Sequence, residues 1–362
     1  MTLEFGYDHG AQAVSVPEEN LLAVLEPGGL AAPEQGEEGL VREALARPIG
    51  APPLRSIVGP MPTWKVMPAL LDELYAAGVD RKDITLIFAR GVHRAQTDEE
   101  RRRLAGDRAY EEIACIDSDP EDVVTLGQTR RGTPVEIMRA VAEADRRICL
   151  GNIEFHYFAG FSGGAKAIMP GVSTRKAIRC NHSHMVEPGS HAGSLAGNPV
   201  REDLEEAAAL VGVDYIVNVV LDAHKRIVHA VAGDVTEAHR AGCAFLERHY
   251  LAPIPARADI VLVSQGGAPK DANLYQLQKA LDNARHAVKP GGVIVLIGCA
   301  KEGFGEDTFG SARRIAPRIW WSACGPISPW AATKPRPSPW WNRRRMCTWC
   351  PTGPTRRCAL FL

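Results

Sequence analysis

Three histidines and a lysine lie within one glycine-rich stretch of this chain, between Gly151 and Met185. They are His156, Lys166, His182 and His184. Glycine lets the backbone approach a bound group closely, imidazoles act as metal ligands or proton carriers, and a lysine amine is a nucleophile. The combination indicates a site that holds a bulky, phosphorylated cofactor.

Each of these residues also has a purely structural interpretation. A single histidine is more often a surface or hydrogen-bonded residue than a ligand, and glycine clusters are usually turns. The spacing matches neither a zinc finger nor HExxH, so it does not identify a metal. Gly163-Gly-Ala-Lys-Ala167 is not a P-loop, because the GxxxxGK[ST] frame and its magnesium-binding hydroxyl are absent.

Two of the histidines follow predicted strands. The apolar run Ile84–Ala89 predicts a buried strand that leads to His93, and a capping box at Thr97 then begins a helix. His156 follows a predicted strand at Arg146–Leu150. Ligands of open α/β sheets bind at the carboxyl ends of strands, so we expect His93 and His156 to face one crevice.

Hydrophobic periodicity predicts an α/β protein with two α/β domains and parallel-sheet βαβ units. The active site is expected in the interdomain cleft. Residues 1–252 form the predicted N-terminal cofactor-binding and catalytic domain, and residues 256–310 begin a C-terminal α/β domain with a βαβ unit at 260–298. In that unit Gln276 and Lys279 share a helix face, which alone reads as a solvated surface. Further helices are predicted at 38–46, 64–77, 133–144, 199–211 and 236–249, and strands at 215–221 and 226–231.

The bulk composition is that of a soluble globular protein, with 45% hydrophobic and 23% charged residues. No apolar run is long enough to span a bilayer, and the first residues lack a signal-peptide pattern. We therefore expect a cytoplasmic protein without membrane partners, whose nine cysteines are reduced thiols.

Four motifs in order resemble the nickel-pincer lactate racemase family. The resemblance covers roughly residues 1–310. The motifs are Gly91-Val-His93-Arg94-Ala-Gln-Thr97, the segment from His156 to Gly171, Asn181-His182, and Gly266-Gly-Ala-Pro-Lys-Asp271-Ala-Asn273-Leu-Tyr275-Gln276-Leu-Gln-Lys279.

The resemblance implies a racemase or epimerase that inverts C2 of a lactate-like 2-hydroxy acid by reversible hydride transfer to a nickel pincer nucleotide. It implies that Lys166 holds this cofactor covalently through a thioamide and that His182 ligates the nickel. The remaining cofactor-binding residues it implies are Ser162, Gly163 and Gly164.

The same resemblance implies that His93 and His156 are the paired general acid and base. Tyr275, Gln276 and Lys279 would contact the substrate. The implied partners are a small-molecule 2-hydroxy acid and the enzymes that synthesise the cofactor, with no nucleic acid. His184 is a bystander, because the family motif does not require it.

The chain departs from the family pattern in two places. Before the helix at 64–77, family members carry a strand that runs into Asp-x-Thr-Arg-Pro-x-Pro. Here Leu54–Pro62 lacks the strand and the Asp-x-Thr-Arg, and Gly59 stands where the arginine is expected. The resemblance implies that this arginine binds substrate and that the aspartate and threonine meet the cofactor phosphate.

The second departure is the segment 311–362, which holds ten Lys or Arg residues, no Asp or Glu, and six of the seven tryptophans. It shows neither strand nor helix periodicity and is interpreted as an aberrant, frameshifted tail. A basic aromatic patch for nucleic acid and half a zinc site at Cys347 and Cys350 are the competing readings.

These departures leave an alternative function open, an inactive or non-catalytic remnant of the family. A nicotinamide oxidoreductase is a further alternative. The absence of GxGxxG followed by an acidic residue argues against that one.

Overall fold

The computed structural model describes residues 1–25, 30, 33–51, 63–222, 224–268, 270–304 and, for the backbone alone, 358–361. The chain divides into two units, one formed by Gly28–Leu251 and the other by Met1–Pro27 with Ala252–Leu362. The predicted α/β class is confirmed, since both units combine helices with parallel strands.

A three-stranded sheet lies at the centre of the unit Gly28–Leu251. Its strands are β8 (Ile148–Asn152), β11 (Tyr215–Leu221) and β12 (Ile227–Gly233), with β11 parallel to β8 and antiparallel to β12. Both faces of this sheet are buried, because successive side chains point to opposite sides. Ile148 and Leu150 join one core cluster, while Cys149 joins the other.

Helices cover both faces of the sheet. The helices of the unit are α1 (Gly36–Ala46), α2 (Thr63–Ala76), α3 (Asp98–Ala105), α4 (Asp107–Glu112), α5 (Arg139–Ala142), α6 (Arg175–Ser183), α7 (Pro199–Val211) and α8 (Glu237–Tyr250). The apolar residues of α1 and α2 pack in one cluster, and those of α6, α7 and α8 pack in the other. The site described below lies on the side of α6, α7 and α8.

Short strand pairs complete this unit. They are β4 (Thr85–Phe88) with β5 (Ala114–Asp117), β6 (Val123–Gln128) with β7 (Pro134–Met138), and β9 (Phe155–His156) with β10 (Gly160–Phe161). The predicted capping box at Thr97 is confirmed, with reciprocal hydrogen bonds between Thr97 and Glu100.

One predicted helix is wrong. Residues 133–144 were expected to be helical, but they form β7 followed by the single turn α5. β7 pairs antiparallel with β6, and its Val135 and Ile137 are buried on one side. The alternating burial has period 2, and Pro134 begins a strand here instead of a helix.

The other unit contains the predicted βαβ motif. β13 (Ala258–Ser264) leads through α9 (Leu274–Ala284) to β14 (Val288–Ile297), which pairs parallel with β13. Val261 and Val263 pack with α9 in one cluster.

The N-terminal segment belongs to this unit. β1 (Thr2–Tyr7) and β2 (Gly10–Ser15) form a hairpin, and its Phe5 packs with Leu262 on the second face of the sheet. Residues 1–252 were expected to form one domain, whereas Met1–Pro27 groups with Ala252–Leu362. Such pairing between the two ends of a chain leaves no signal in local periodicity.

Two further strands extend the sheet, in the order β14, β13, β15 (Cys358–Phe361) and β3 (Leu21–Leu25). The backbone at 358–361 is thus parallel to both neighbours. The rest of the segment interpreted as a frameshifted tail, 311–357 and 362, lies outside the described residues. So do Leu54–Pro62 and Gly59, where the family's Asp-x-Thr-Arg is expected.

Within the described ranges, no helix has the length and apolar character needed to cross a membrane.

Candidate active site

The structure brings three of the predicted site residues together around one aromatic ring. The ring of Phe158 lies 4.5 Å from the ring of His156 and 4.9 Å from that of His182, measured between centroids. The Nζ atom of Lys166 lies 5.8 Å from the same centroid. Nζ is also 3.3 Å from Nε2 of His156. A nucleophilic amine and two imidazoles therefore form one cluster.

Each member of this cluster comes from a different local element. His156 ends β9, Lys166 lies in a 3-10 turn at Gly164–Ala167, and His182 lies in the last turn of α6. Nδ1 of His156 accepts the backbone N–H of Ala159 at 3.2 Å, so its Nε2 is the atom that faces Lys166. The short β9–β10 hairpin thus orients His156 through its own backbone.

Burial keeps His182 neutral. Desolvation, together with the nearby Lys166 charge, lowers the pKa of His182 to about 4. A neutral imidazole retains a lone pair at pH 7 and is able to ligate a metal. In the described part of the chain, no group of three or more His, Cys, Asp or Glu side chains could hold a metal ion.

The remaining predicted cofactor-binding residues precede Lys166 directly. The hydroxyl of Ser162 donates to the Asn152 carbonyl at 2.7 Å and accepts the Glu154 N–H at 2.8 Å. Gly163 has φ +74°, and a Cβ there would lie 2.6 Å from Oδ1 of Asn218. A side chain would therefore displace the loop that carries Lys166.

Four buried polar side chains form hydrogen bonds to the backbone of the loop between Phe158 and Gly164. None of the four was among the predicted site residues. Arg201 donates from Nε to the Ala159 carbonyl at 3.1 Å and from Nη2 to the Phe161 carbonyl. Asn198 donates from Nδ2 to the Phe158 carbonyl at 2.9 Å. Asn198 is the N-cap of α7, and Arg201 lies in the first turn of the same helix.

The other two lie on β11 and α8. Oδ1 of Asn218 accepts the N–H of Gly164 at 2.7 Å. Nε2 of His239 lies 2.8 Å from the Ser162 carbonyl and is therefore the donor. Asn218 was visible in the sequence as a polar residue inside an otherwise apolar strand, which is the informative exception in a buried strand. Arg201 gave no such signal, because Arg is common on helix surfaces.

Burial shifts the pKa values of two of these four side chains, Arg201 and His239. Desolvation lowers the pKa of Arg201 to about 10, with Glu205 acting in the opposite direction. Desolvation also lowers the pKa of His239 to about 3, and the charge of Arg201 adds to the effect. At neutral pH Arg201 is therefore a buried cation, and His239 is a neutral donor.

His93 lies on a different element from the three clustered residues. It is exposed in the turn after β4. In that turn the N–H of Gly91 donates to the Gly171 carbonyl at 2.9 Å, and the N–H of Gly171 donates to the Lys166 carbonyl at 3.2 Å. The loop of His93 is thus tied to the loop of Lys166. That His93 and His156 share one crevice remains a prediction.

The predicted substrate-binding residues lie on α9, in the unit that contains β13. Nζ of Lys279 donates to Oε1 of Gln276 at 2.7 Å, so these side chains share one face as expected. Tyr275 lies in the first turn of the same helix. His184 contacts Glu187, with 2.5 Å between Nδ1 and Oε1.

Comparison with known proteins identifies the family. The family description "Lactate racemase N-terminal domain" matches residues 7–193, and "Lactate racemase C-terminal domain" matches residues 254–316. A lactate racemase from Lactiplantibacillus plantarum is 34% identical over 75% of this chain and 68% of its own length. A lactate racemase from Thermoanaerobacterium thermosaccharolyticum is 32% identical over 85% of this chain and 76% of its own length.

Solved structures agree with this result. The structure of the lactate racemase apoprotein from Thermoanaerobacterium thermosaccharolyticum has a TM-score of 0.78 at 32% identity, covering 87% of this chain and 78% of that chain. A Thermotoga maritima protein, at 17% identity and a TM-score of 0.58, covers 74% of this chain and 71% of that chain and shows the fold alone. The chain belongs to the lactate racemase family, as its four motifs indicated.

The buried neutral imidazole of His239 predicts that the free energy of unfolding decreases in acid. A histidine free in the unfolded chain titrates near its ordinary pKa of 6.5, whereas His239 in the fold has a pKa of about 3. Unfolding therefore takes up a proton below pH 6.5, and stability falls as the pH falls from 6.5 towards 3. In His239→Gln, which keeps an amide donor for Ser162, this slope becomes shallower by up to about 1.4 kcal/mol per pH unit.

Urea unfolding between pH 4.5 and 7.5 measures this slope. His191→Gln, at an exposed position, is the matched control and leaves the slope as in the unchanged protein. Equal slopes for the unchanged protein and His239→Gln would contradict the assignment of His239 as a buried neutral donor.

Proposed function

We propose that this protein is a racemase that inverts C2 of a lactate-like 2-hydroxy acid, using a nickel pincer nucleotide held covalently by Lys166. The observation that carries this proposal is the cluster of Lys166, His156 and His182 around Phe158. The lactate racemases to which the chain is similar supply the substrate class.

The residues present fit such a cofactor. Lys166 offers an amine for a covalent bond, and His182 offers one neutral nitrogen to a metal whose other ligands come from the organic group. Gly163 and Gly164 let the backbone beside Lys166 pack directly against Asn218 and His239, which fixes the position of the lysine. When bound, the cofactor would supply a hydride acceptor for C2 of the substrate.

His156 and His93 would exchange the hydroxyl proton. Nε2 of His156 faces the cluster because its Nδ1 is occupied by the N–H of Ala159. His93 would act from a separate loop, whose Gly91 donates its N–H to the Gly171 carbonyl. Inversion of one carbon needs a proton partner on each face of the substrate. Two imidazoles held by different elements meet that requirement, because an imidazole can both give and accept a proton.

Gln276 and Lys279 would bind the substrate carboxylate or keto oxygen. Their hydrogen bond at 2.7 Å presents an ammonium and an amide side by side across the first two turns of α9. A fixed positive charge in a site of low dielectric is a strong anchor for a carboxylate. Tyr275 would line the same site.

A non-catalytic family member is the second candidate. The sequence favours it at one point, since Gly59 stands where the family's substrate-binding arginine is expected. Such a protein would bind the cofactor or nothing, without turnover. For the racemase, the enzymes of cofactor synthesis are the proposed partners and the cytoplasm is the proposed location.

Isotope retention tests the hydride route. Because C2 hydrogen would move to the cofactor and return without meeting water, L-lactate labelled with deuterium at C2 should give D-lactate that keeps the label. The measurement is mass spectrometry of the product formed in ordinary water by protein produced together with the cofactor-synthesis enzymes. Exchange of the label for solvent hydrogen would indicate abstraction of a proton at C2 and would contradict this route.

Substitution separates proton transfer from cofactor attachment. His93→Ala and His156→Ala should each lower kcat/KM by about 10²-fold to 10⁴-fold, the usual contribution of a general acid or base. Both should retain the cofactor mass on Lys166. His184→Ala is the control, since His184 contacts Glu187 outside the cluster, and should racemise lactate at the unchanged rate. Full activity in either His93→Ala or His156→Ala would remove that histidine from the mechanism.

A further inference from the structure

A buried amide lies directly beside His182. Asn181 is fully buried in α6, and its Oδ1 lies 3.1 Å from Nδ1 of His182. On the other side of the same amide, Nδ2 donates to the Val200 carbonyl at 3.2 Å and to Oδ2 of Asp203 at 2.8 Å. Asn181 thus connects a buried carboxylate to the imidazole.

The partners of this amide fix its orientation. The two ends of an asparagine amide are similar in shape, so hydrogen bonding decides which end is which. Asp203 and the Val200 carbonyl can only accept, and the NH₂ group must face them. Oδ1 therefore faces His182, where it can only accept, and the proton between them belongs to Nδ1 of His182.

Asp203 is itself held by two threonines. Oγ1 of Thr129 donates to Oδ1 of Asp203 at 2.5 Å, and Oγ1 of Thr133 donates to Oδ2 at 2.7 Å. Both hydroxyls lie at the turn between β6 and β7, and all three residues are buried. With the amide of Asn181, the carboxylate accepts three hydrogen bonds from side chains. A carboxylate fixed in this way cannot turn and release Asn181 without leaving buried donors unsatisfied.

We propose that Asn181, held by Asp203, is a positioning residue that sets the tautomer of His182, with the proton on Nδ1 and the lone pair on Nε2. The link from this tautomer to nickel rests on the proposed function, which makes His182 the protein's ligand. Metal-binding histidines commonly donate their second ring N–H to an oxygen acceptor, and loss of that acceptor typically costs 10-fold to 100-fold in metal affinity. Without Asn181 the neutral ring is free to carry its proton on Nε2, where the proton blocks coordination.

Imidazole ¹⁵N NMR of the full chain, without cofactor and at pH 7.5, tests the tautomer directly. In the unchanged protein, Nε2 of His182 should resonate in the range of an unprotonated ring nitrogen and Nδ1 in the range of a protonated one. In Asn181→Leu, which keeps the size of the side chain but removes the acceptor, the Nε2 signal should shift towards the protonated range.

Ile178→Val is the matched control. Ile178 is buried one turn earlier on α6, so this variant loosens the same helix but leaves the amide in place, and the His182 signals should not move. A protonated Nε2 in the unchanged protein would overturn the inference even if Asn181→Leu fails to fold. Unmoved signals in a folded Asn181→Leu would overturn it as well.

Nickel content distinguishes this inference from the proposed function. In protein produced with the cofactor-synthesis enzymes, nickel per chain should fall about 10-fold or more in Asn181→Leu and stay unchanged in Ile178→Val. If the tautomer changes as expected and nickel content does not, His182 is not the nickel ligand, and that part of the proposed function fails.

Discussion

The backbone carbonyls of the loop from Phe158 to Ser162 are the constraint on which this site depends. The loop is buried around Phe158, Ala159 and Phe161, and a buried carbonyl without a donor costs about 1–3 kcal/mol. Arg201, Asn198 and His239 supply the donors from below. A buried guanidinium is tolerated here because its charge is shared between two carbonyl oxygens, with Glu205 at 3.8 Å.

Close packing and hydrogen bonds fix the segments that carry the reactive groups. The buried polar side chains pack closely against the loop. A side chain at Gly163 would clash with Asn218, and one at Gly164 would clash with His239. The backbone that carries Lys166 is therefore fixed in place. Asn181 and Asp203 give the same kind of support to His182 from within α6 and α7. The cluster is positioned by hydrogen bonds to donors and acceptors that cannot move independently.

Local sequence patterns predicted the elements that carry their signal within a few residues. The capping box at Thr97, the helix 199–211 and the βαβ unit are correct because caps, helical periodicity and apolar runs act locally. The helix expected at 133–144 is wrong because β7 is specified by its partner β6 and by burial of Val135 and Ile137. The grouping of Met1–Pro27 with the C-terminal unit depends on pairing between distant segments, which no local pattern records.

The site shows the same division. Lys166, His156 and His182 were identified because reactive residue types are dense in one glycine-rich stretch. Arg201, His239 and Asp203 were missed, because their function follows from burial, and a charged residue on a predicted helix reads as a solvated one. Asn218 stood out only as an exception within an apolar strand. The supporting residues of this site are thus a property of the fold more than of any motif.

The most direct test of this account is the mass of the peptide that contains Lys166, from protein produced together with the cofactor-synthesis enzymes. The account predicts a peptide that carries the nucleotide on Lys166, with nickel in the intact protein, and no added mass in Lys166→Ala. An unmodified Lys166 peptide from protein that nevertheless racemises lactate would contradict it.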